Sequence, residues 1–168
     1  MATPAMNAPP LEISCPCGKT KIRATVDPIG AGICHCNECR YLTQGIANEG
    51  VLFPTGTLEC TQGKIESKKR PDMEMTCHCC GDEEGCGIIM YHTEKHGLDV
   101  VATSEVRRCY GEIPENFKSQ AHHWYKEKIY KIDDELPKFL DGPKEFGLSG
   151  IMVDSDGNPI EESTEGAE

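Results

Sequence analysis

Eleven cysteines in 168 residues constrain this chain more than any other feature of its sequence, because most of them are clustered. They form three groups: Cys15 and Cys17, then Cys34, Cys36 and Cys39, then Cys77, Cys79 and Cys80. Only 6% of the residues are aromatic, and a chain so poor in large apolar groups is often stabilised by metal ions or disulfides. The middle group, with three thiols in six residues, is the candidate working site.

The start of the sequence favours metal binding over disulfide formation. Residues 1–10 have neither a basic start nor an apolar segment, so they do not resemble a secretory signal. No apolar run approaches the roughly 20 residues needed to span a bilayer. We therefore expect a cytoplasmic protein in a reducing compartment, where clustered cysteines more often hold metal than pair with each other.

The net charge of −11 excludes two classes of partner. General nucleic-acid binding depends on basic residues that contact phosphates, and docking on anionic lipid also depends on basic residues. We therefore expect neither nucleic-acid nor membrane partners.

Short alternating segments separated by Gly and Pro favour a mostly β fold. Strands are predicted at residues 11–14, 19–26, 45–54, 57–61, 64–68, 73–76, 88–91, 99–103 and 124–132. Asn37 is predicted to open a short helical turn that runs through Leu42. Residues 27–32 and 104–120 are predicted to be mainly loops.

One domain is predicted, with a tail at each end. Residues 1–10 are expected to be a disordered arm, and residues 11–153 a single zinc-binding domain. Residues 154–168 contain six acidic residues and no Lys or Arg, which is typical of a disordered tail.

The first and third cysteine groups suit a structural zinc site, which takes four protein ligands in a tetrahedron. Cys15 and Cys17 flank a turn, and Cys77 and Cys80 have C-x-x-C spacing, so these four residues are the predicted ligands. Two alternatives remain open: Cys77 pairs with Cys79 instead, or Cys86 replaces Cys80.

The middle group suits an open zinc site instead. Cys34, Cys36 and Cys39 supply three thiolates, and no fourth sulfur is close in the sequence. Three thiolates weaken zinc as an acid toward water but keep an added thiolate nucleophilic, so the ligand set favours a thiol substrate. The alternative is a closed structural site completed by a distant ligand, with His78, His92 and Cys109 as candidates.

The order Cys-x-Cys-Gly at 15–18, Cys-His-Cys-x-x-Cys at 34–39 and Cys-x-x-Cys-Gly at 77–81 resembles the glutathione-dependent formaldehyde-activating enzyme (GFA) family. That family includes the centromere protein V relatives. The resemblance runs from about Leu11 to Phe139, and the segment from His123 to Phe139 also looks like the end of the family's domain.

The resemblance implies a zinc-centred β-tent of twisted antiparallel sheets. It implies two zinc ions: a structural one held by Cys15, Cys17, Cys77 and Cys80, and a labile one at the active site, held by Cys34, Cys36 and Cys39. It also implies a carbon–sulfur lyase that joins formaldehyde and glutathione, as S-(hydroxymethyl)glutathione synthase does. His35 or a bound water is the hypothetical proton donor.

Two other functions fit the same motifs. In the first, the family's zinc site acts on another thiol adduct in a specialised pathway. In the second, the chain is a non-catalytic, zinc-stabilised binding module. Lys68 to Arg70 offers a weak candidate for binding glutathione carboxylates. Cys60 and Cys109 are expected to be buried thiols, and His122 and His123 are expected at the surface.

Overall fold

The computed structural model describes residues 10–81 and 83–161. Within them the chain forms two compact units, one from residues 10–32 and 49–119 (residue 82 apart) and the other from residues 33–48 and 120–161. Strands predominate and helices are few and short, so the prediction of a mostly β single-domain fold is confirmed. Among the described residues, no helix is long and apolar enough to cross a membrane.

The described elements follow one another along the chain as short strands with two α-helices between them. They are β1 (Glu12–Ser14), β2 (Lys21–Ala24), β3 (Gly30–Cys34), α1 (Asn37–Thr43), β4 (Asn48–Pro54), β5 (Leu58–Gln62), β6 (Ile65–Lys69), β7 (Thr76–Cys80), β8 (Ile89–Thr93), β9 (Leu98–Ala102), α2 (Thr103–Tyr110), β10 (His122–His123), β11 (Lys138–Phe139) and β12 (Met152–Val153).

The first unit contains two antiparallel strand arrangements. One has the order β1-β2-β5, and β1 and β2 form the predicted hairpin, with Ile13 opposite Ile22. The other has the order β4-β9-β8-β7-β6. Apolar side chains from both, with α2, form one buried cluster that includes Ile13, Ile22, Phe53 and Val101. Burying each such side chain contributes about 1.5–3 kcal/mol.

The second unit is built from much shorter pairings, in the order β12-β11-β10-β3. The end of β3 runs parallel to β10, where Ile33 faces His122 and Cys34 faces His123. The His35 amide donates to the carbonyl of His123 (2.9 Å), which extends this ladder into the middle cysteine group. The position of residues 34–36 is therefore set by β10.

Four segments differ from their predicted structure. The strand predicted at 73–76 is wrong, because β7 begins only at Thr76. The loop predicted at 27–32 contains the start of β3, and the loop predicted at 104–120 contains most of α2. The edge strand predicted at 124–132 is wrong, because Trp124 takes left-handed backbone angles (φ 53°, ψ 37°) and turns the chain into a short 3₁₀ helix, Tyr125–Glu127.

The predicted terminal segments lie largely outside the described residues, which leave out 1–9 and 162–168. Of the acidic tail, the part from Asp154 to Asn158 forms a turn. The carboxylate of Asp154 accepts backbone hydrogen bonds from Asp156, Gly157 and Asn158, each at 2.9 Å.

A line of polar side chains crosses four strands of the first unit. The carboxylate of Asp99, which is 2% exposed, accepts from the Thr93 hydroxyl (2.6 Å) and the Gly56 amide (3.0 Å). The Thr93 hydroxyl also contacts His78 Nε2 (2.8 Å), and His78 Nδ1 contacts the Ser67 hydroxyl (2.8 Å). The ring of Tyr91 stacks on His78 with the centroids 4.2 Å apart.

We predict that Asp99→Ala destabilises the protein by about 1–3 kcal/mol, because it leaves the Gly56 amide and the Thr93 hydroxyl without their acceptor. Asp99→Asn should cost less, because the amide oxygen still accepts one bond. The measurement is urea unfolding, with Glu74→Ala as the control, since the Glu74 side chain is 70% exposed. Equal midpoints for Asp99→Ala and Glu74→Ala would contradict the prediction.

Candidate metal centres

Four cysteines converge in the first unit: Cys15, Cys17, Cys80 and Cys86. Their sulfur atoms all lie within 4.8 Å of one another, and Cys15 and Cys80 are buried while Cys17 and Cys86 are exposed. The sulfurs of Cys15 and Cys17 are 3.2 Å apart, and those of Cys17 and Cys80 are 3.8 Å apart. We call this set the four-sulfur group.

The hairpin turn between β1 and β2 brings the first two sulfurs together. Gly18 has a φ of +74°, a left-handed conformation that favours glycine, and it lets the chain reverse directly after Cys17. Thr20, which is fully buried, donates its amide to Cys15 Sγ and its hydroxyl to Cys80 Sγ, both at 3.2 Å. Such donors stabilise negative charge on sulfur.

A loop after β7 brings Cys86 to the group. Lys19 holds this loop, because its ammonium group contacts the backbone carbonyls of Glu83 (3.0 Å) and Glu84 (3.2 Å). It also reaches the carboxylate of Glu84 at 3.4 Å. This acidic loop, which contains Glu83 and Glu84, therefore returns the chain to the hairpin turn.

The structure does not bring Cys77 to the four-sulfur group, although the C-x-x-C spacing predicted it there. Cys77 and Cys80 both lie in the extended strand β7, and side chains three residues apart in a strand point to opposite faces. Cys79 lies on the same face as Cys77 and is also outside the group. The group is completed by Cys80 and Cys86 together. This differs from both alternatives, one of which paired Cys77 with Cys79, while the other placed Cys86 in the position of Cys80.

The thiols of the four-sulfur group differ in their ionisation. Burial raises the pKa of Cys15 to about 11. Hydrogen bonds from the Lys19 backbone and the Cys15 thiol lower the pKa of Cys17 to about 6, and contacts with Cys86 add to this. Four cysteine sulfurs that converge on one point are a structural zinc ligand set, and a bound cation stabilises them as thiolates. The group therefore fits zinc.

Three further cysteines converge in the second unit: Cys34, Cys36 and Cys39, as the sequence predicted. Their sulfurs lie within 4.8 Å of one another, and we call them the three-sulfur group. Among residues 10–81 and 83–161, no fourth His, Cys, Asp or Glu belongs to it. The distant candidates His78, His92 and Cys109 are therefore not members.

The helix α1 sets the spacing of the three-sulfur group. Cys36 is its N-cap residue, with extended backbone angles, and the Cys36 sulfur accepts the amide hydrogen of Cys39 at 3.3 Å. Sequence reasoning started the helical turn at Asn37, which is correct, but it did not anticipate that a cysteine sulfur caps the helix. One turn of helix then places Cys39 beside Cys36.

The three thiols share charge unequally. Hydrogen bonds with Cys34 and Cys39 lower the pKa of Cys36 to about 3. Hydrogen bonds with the other two sulfurs, together with burial, raise the pKa of Cys34 well above its usual range. The pKa of Cys39 is also raised, because the hydrogen bond with Cys36 and burial outweigh its hydrogen bond with Cys34. Soft thiolates in this arrangement fit zinc or a similar thiophilic ion.

The model of the glutathione-dependent formaldehyde-activating enzyme (GFA) family matches residues 10–127, more than half of the chain and both sulfur groups. The chain belongs to the GFA family. At the level of the family, this supports an enzymatic function related to glutathione and formaldehyde.

Two other comparisons add less. A crystal structure of a Rhodobacter sphaeroides protein from the Northeast Structural Genomics effort is similar, with a TM-score of 0.43 and 18% identity. The similarity covers 62% of this chain and 98% of that chain. No curated protein matches.

Next to the three-sulfur group of this GFA family member lies a chain of hydrogen-bonded polar side chains: the buried His35, His122 and Lys138, and Asp134, which is 37% exposed. His35 Nε2 and His122 Nδ1 are 2.9 Å apart, and His122 Nε2 lies 2.9 Å from the Asp134 carboxylate. The other carboxylate oxygen accepts from Lys138 Nζ at 2.7 Å. We call these four residues the polar chain.

Sequence reasoning missed the polar chain, and it expected His122 at the surface. His122 is 1% exposed, so that expectation is wrong. The four members are far apart in the sequence, and no helix spans Asp134 and Lys138 to make their spacing of four informative. A buried lysine is rare unless it is paired, but burial of Lys138 is not visible in the sequence.

Other residues singled out in the sequence lie apart from both groups. Cys60 is exposed, not buried as expected, and its thiol contacts the carbonyl of Gln62 at 3.2 Å. Cys109 is partly buried and packs against the core. Lys68 and Arg70 form ion pairs at 3.5 Å with Glu66 and Asp72, respectively.

We predict that Cys86→Ser removes the metal of the four-sulfur group and that Cys77→Ser does not. Loss of one thiolate weakens a site whose binding energy also stabilises the fold, so Cys86→Ser should melt at a lower temperature. Zinc per chain after dialysis and the melting temperature test this. The ligand assignment is wrong if Cys77→Ser loses metal and Cys86→Ser retains it.

We also predict that His123 makes the protein less stable in acid. Its ring lies beside Phe139 and Phe146, and burial, followed by the nearby His122, lowers its pKa to about 4 from the usual 6.5. Between these values the unfolded chain binds the proton and the folded chain does not, so stability falls as the pH falls through this window.

His123→Phe preserves the stacked ring and removes the titration. Its urea midpoint should therefore decline less than the wild-type midpoint as the pH falls from about 6.5 to about 4. Parallel declines for the two proteins would rule out this role for His123.

Proposed function

We propose that this chain is a zinc-dependent enzyme of the carbon–sulfur lyase type, which joins or releases a thiol and an aldehyde. The thiol proposed first is glutathione and the aldehyde is formaldehyde, as the family name indicates. The four-sulfur group holds a structural zinc in this proposal, and Cys34, Cys36 and Cys39 hold a second, labile zinc at the active site. All eleven cysteines are free, which suits a reducing compartment such as the cytoplasm.

The observation that carries the proposal is the difference between the two sulfur groups. One has four members, the number that closes a structural zinc site, and the other has three, the number typical of catalytic sites. In the three-member group, Cys34 and Cys36 are partly buried, so their side chains are not fully closed off from solvent. A substrate thiol therefore has a route to sulfur ligands that are themselves fixed.

Zinc held by three thiolates would lower the pKa of a substrate thiol while keeping the sulfur nucleophilic. The residues of the chain supply the position for this chemistry. The amide of Cys39 donates to Cys36 Sγ, and the amide of His35 ties the preceding turn to β10. The two bonds hold the backbone between Cys34 and Cys39, which carries the three sulfurs.

The reaction adds the substrate S–H across the aldehyde C=O. A carbon–sulfur bond forms, the carbonyl π bond breaks, and the proton given up by the thiol is replaced by one on the new hydroxyl. Burial lowers the pKa of His35 to about 4, so its imidazole is neutral near pH 7. Its Nε2 is already hydrogen-bonded to His122. We therefore assign the proton donor to water.

A thiol other than glutathione is the second candidate substrate. Lys68 and Arg70, which the sequence offered for the glutathione carboxylates, pair with Glu66 and Asp72 on an exposed surface. The same fold and sulfur groups would then serve an adduct in a specialised pathway. A comparison of glutathione with cysteine and with neutral thiols separates the two substrates.

We predict that Cys36→Ser lowers the catalysed rate of thiol addition to formaldehyde by about 100-fold or more, together with loss of one zinc per chain. Cys60→Ser is the matched control, because Cys60 is an exposed thiol outside both sulfur groups and should leave rate and zinc unchanged. The uncatalysed addition, which thiols undergo unaided, is subtracted in each measurement.

Three outcomes would count against parts of the proposal. Full activity in Cys36→Ser after loss of the second zinc would remove the mechanism. Two bound zinc ions without acceleration of any thiol addition would favour the non-catalytic binding module. A single zinc that resists mild chelation would mean that the three-sulfur group is not a metal site.

A further inference from the structure

The polar chain behind the three-sulfur group is anchored at Lys138. This side chain is 4% exposed, and its ammonium group has three acceptors, the Asp134 carboxylate (2.7 Å), the Asp134 carbonyl (3.0 Å) and the Leu136 carbonyl (2.9 Å). An ammonium group has three donors, so each is used. Lys138 therefore fixes the carboxylate of Asp134 in one position.

The carboxylate in turn sets the direction of the hydrogen bonds that follow. It can only accept, so His122 donates from Nε2. With one proton on each imidazole, His122 Nδ1 is then the acceptor, and His35 donates to it from Nε2. The order of donors runs from His35 through His122 to Asp134.

Packing leaves the two imidazoles little freedom to take other rotamers. His35 and His122 are each 1% exposed, and Tyr125 is fully buried against both. The ring centroid of Tyr125 lies 5.1 Å from that of His35 and 5.8 Å from that of His122. A change of rotamer at either histidine would leave a buried ring nitrogen without its hydrogen bond, which is costly.

His35 stands between Cys34 and Cys36 and is held at three points. Its ring contacts His122, its amide donates to the carbonyl of His123 (2.9 Å), and its carbonyl accepts from Arg40 Nε (3.1 Å). Adjacent residues are joined by planar peptide units, so a fixed His35 backbone also restricts the directions of the neighbouring Cβ atoms. A three-sulfur group needs this support more than a four-sulfur group, because it has one ligand fewer to hold it together.

We propose that His122 is a positioning residue, which acts through His35 to keep the sulfurs of Cys34 and Cys36 converged with that of Cys39. Asp134 and Lys138 hold His122 in the orientation that this role requires. The inference rests on the proposed metal binding by the three-sulfur group, but it does not require that the bound metal catalyse any reaction.

The test uses the full chain with cadmium as the probe and a competing chelator. Cadmium NMR distinguishes an ion bound by three sulfurs from one bound by four, so the two affinities are measured in the same sample. His122→Phe retains a buried ring and removes both nitrogens. We expect it to lower the cadmium affinity of the three-sulfur group about tenfold and to leave the four-sulfur group unchanged.

Two further variants separate positioning from general stability. His122→Gln offers both a donor and an acceptor, so it should recover most of the lost affinity. His123→Phe is the matched control, because it changes the neighbouring histidine, which packs beside Phe139 and lies outside the polar chain. It should leave both cadmium affinities at their wild-type values, even where the melting temperature changes.

The proposal is overturned if folded His122→Phe binds cadmium at the three-sulfur group as tightly as the wild type. It is also overturned if both groups lose affinity equally, as a purely structural role would require. Should His122→Phe not fold, Asp134→Asn takes its place, with the expected affinity order wild type, His122→Gln, Asp134→Asn, and the absence of that order overturns the proposal.

The outcome is separable from that of the proposed function. If His122→Phe lowers the cadmium affinity of the three-sulfur group alone and the protein has no thiol–aldehyde activity, the positioning role is supported and the proposed enzymatic function is refuted. Activity with unchanged cadmium affinity would do the reverse. A wild-type protein that shows no cadmium bound by three sulfurs would refute both.

Discussion

The convergence of Cys15, Cys17, Cys80 and Cys86 is the constraint on which the first unit depends. Cys17 and Cys80 are 63 residues apart in the sequence, yet their sulfurs lie 3.8 Å from each other. Cys15 and Cys80 also belong to the buried apolar cluster, so the four-sulfur group and the core share residues. In a chain with few aromatic side chains, this connection between the hairpin and β7 replaces packing that larger residues would provide.

The sequence predicted the fold best where the local pattern was strong. The β1–β2 hairpin, with thiols at its turn, followed from alternation and from Gly18, and the order of short strands followed from Gly and Pro. Segments with a mixed pattern were predicted less well. Gly30 and Gly32 are typical of a loop, so the start of β3 was not predicted. The helix α2 buries only Thr103 and Val106, and so narrow an apolar face does not give a helical pattern in the sequence.

The same contrast applies to the site. Cys34, Cys36 and Cys39 were predictable because their spacing is local and a single turn of helix brings them together. Cys77 was expected beside Cys80 from their spacing alone, and it lies outside the four-sulfur group because both residues belong to one extended strand. The polar chain depends on contacts between residues 35, 122 and 134, and such distant pairings have no counterpart in local periodicity.

The sulfur of Cys36 has two roles. It caps the N-terminus of α1 by accepting the amide hydrogen of Cys39, and it belongs to the three-sulfur group. Its electron pairs are therefore divided between an amide hydrogen and any bound electrophile. Alkylation or oxidation of this one atom would loosen the first turn of the helix as well as the ligand set. Chemical damage at the site would thus be transmitted to local secondary structure, so the backbone around residue 39 reports on the state of the thiol.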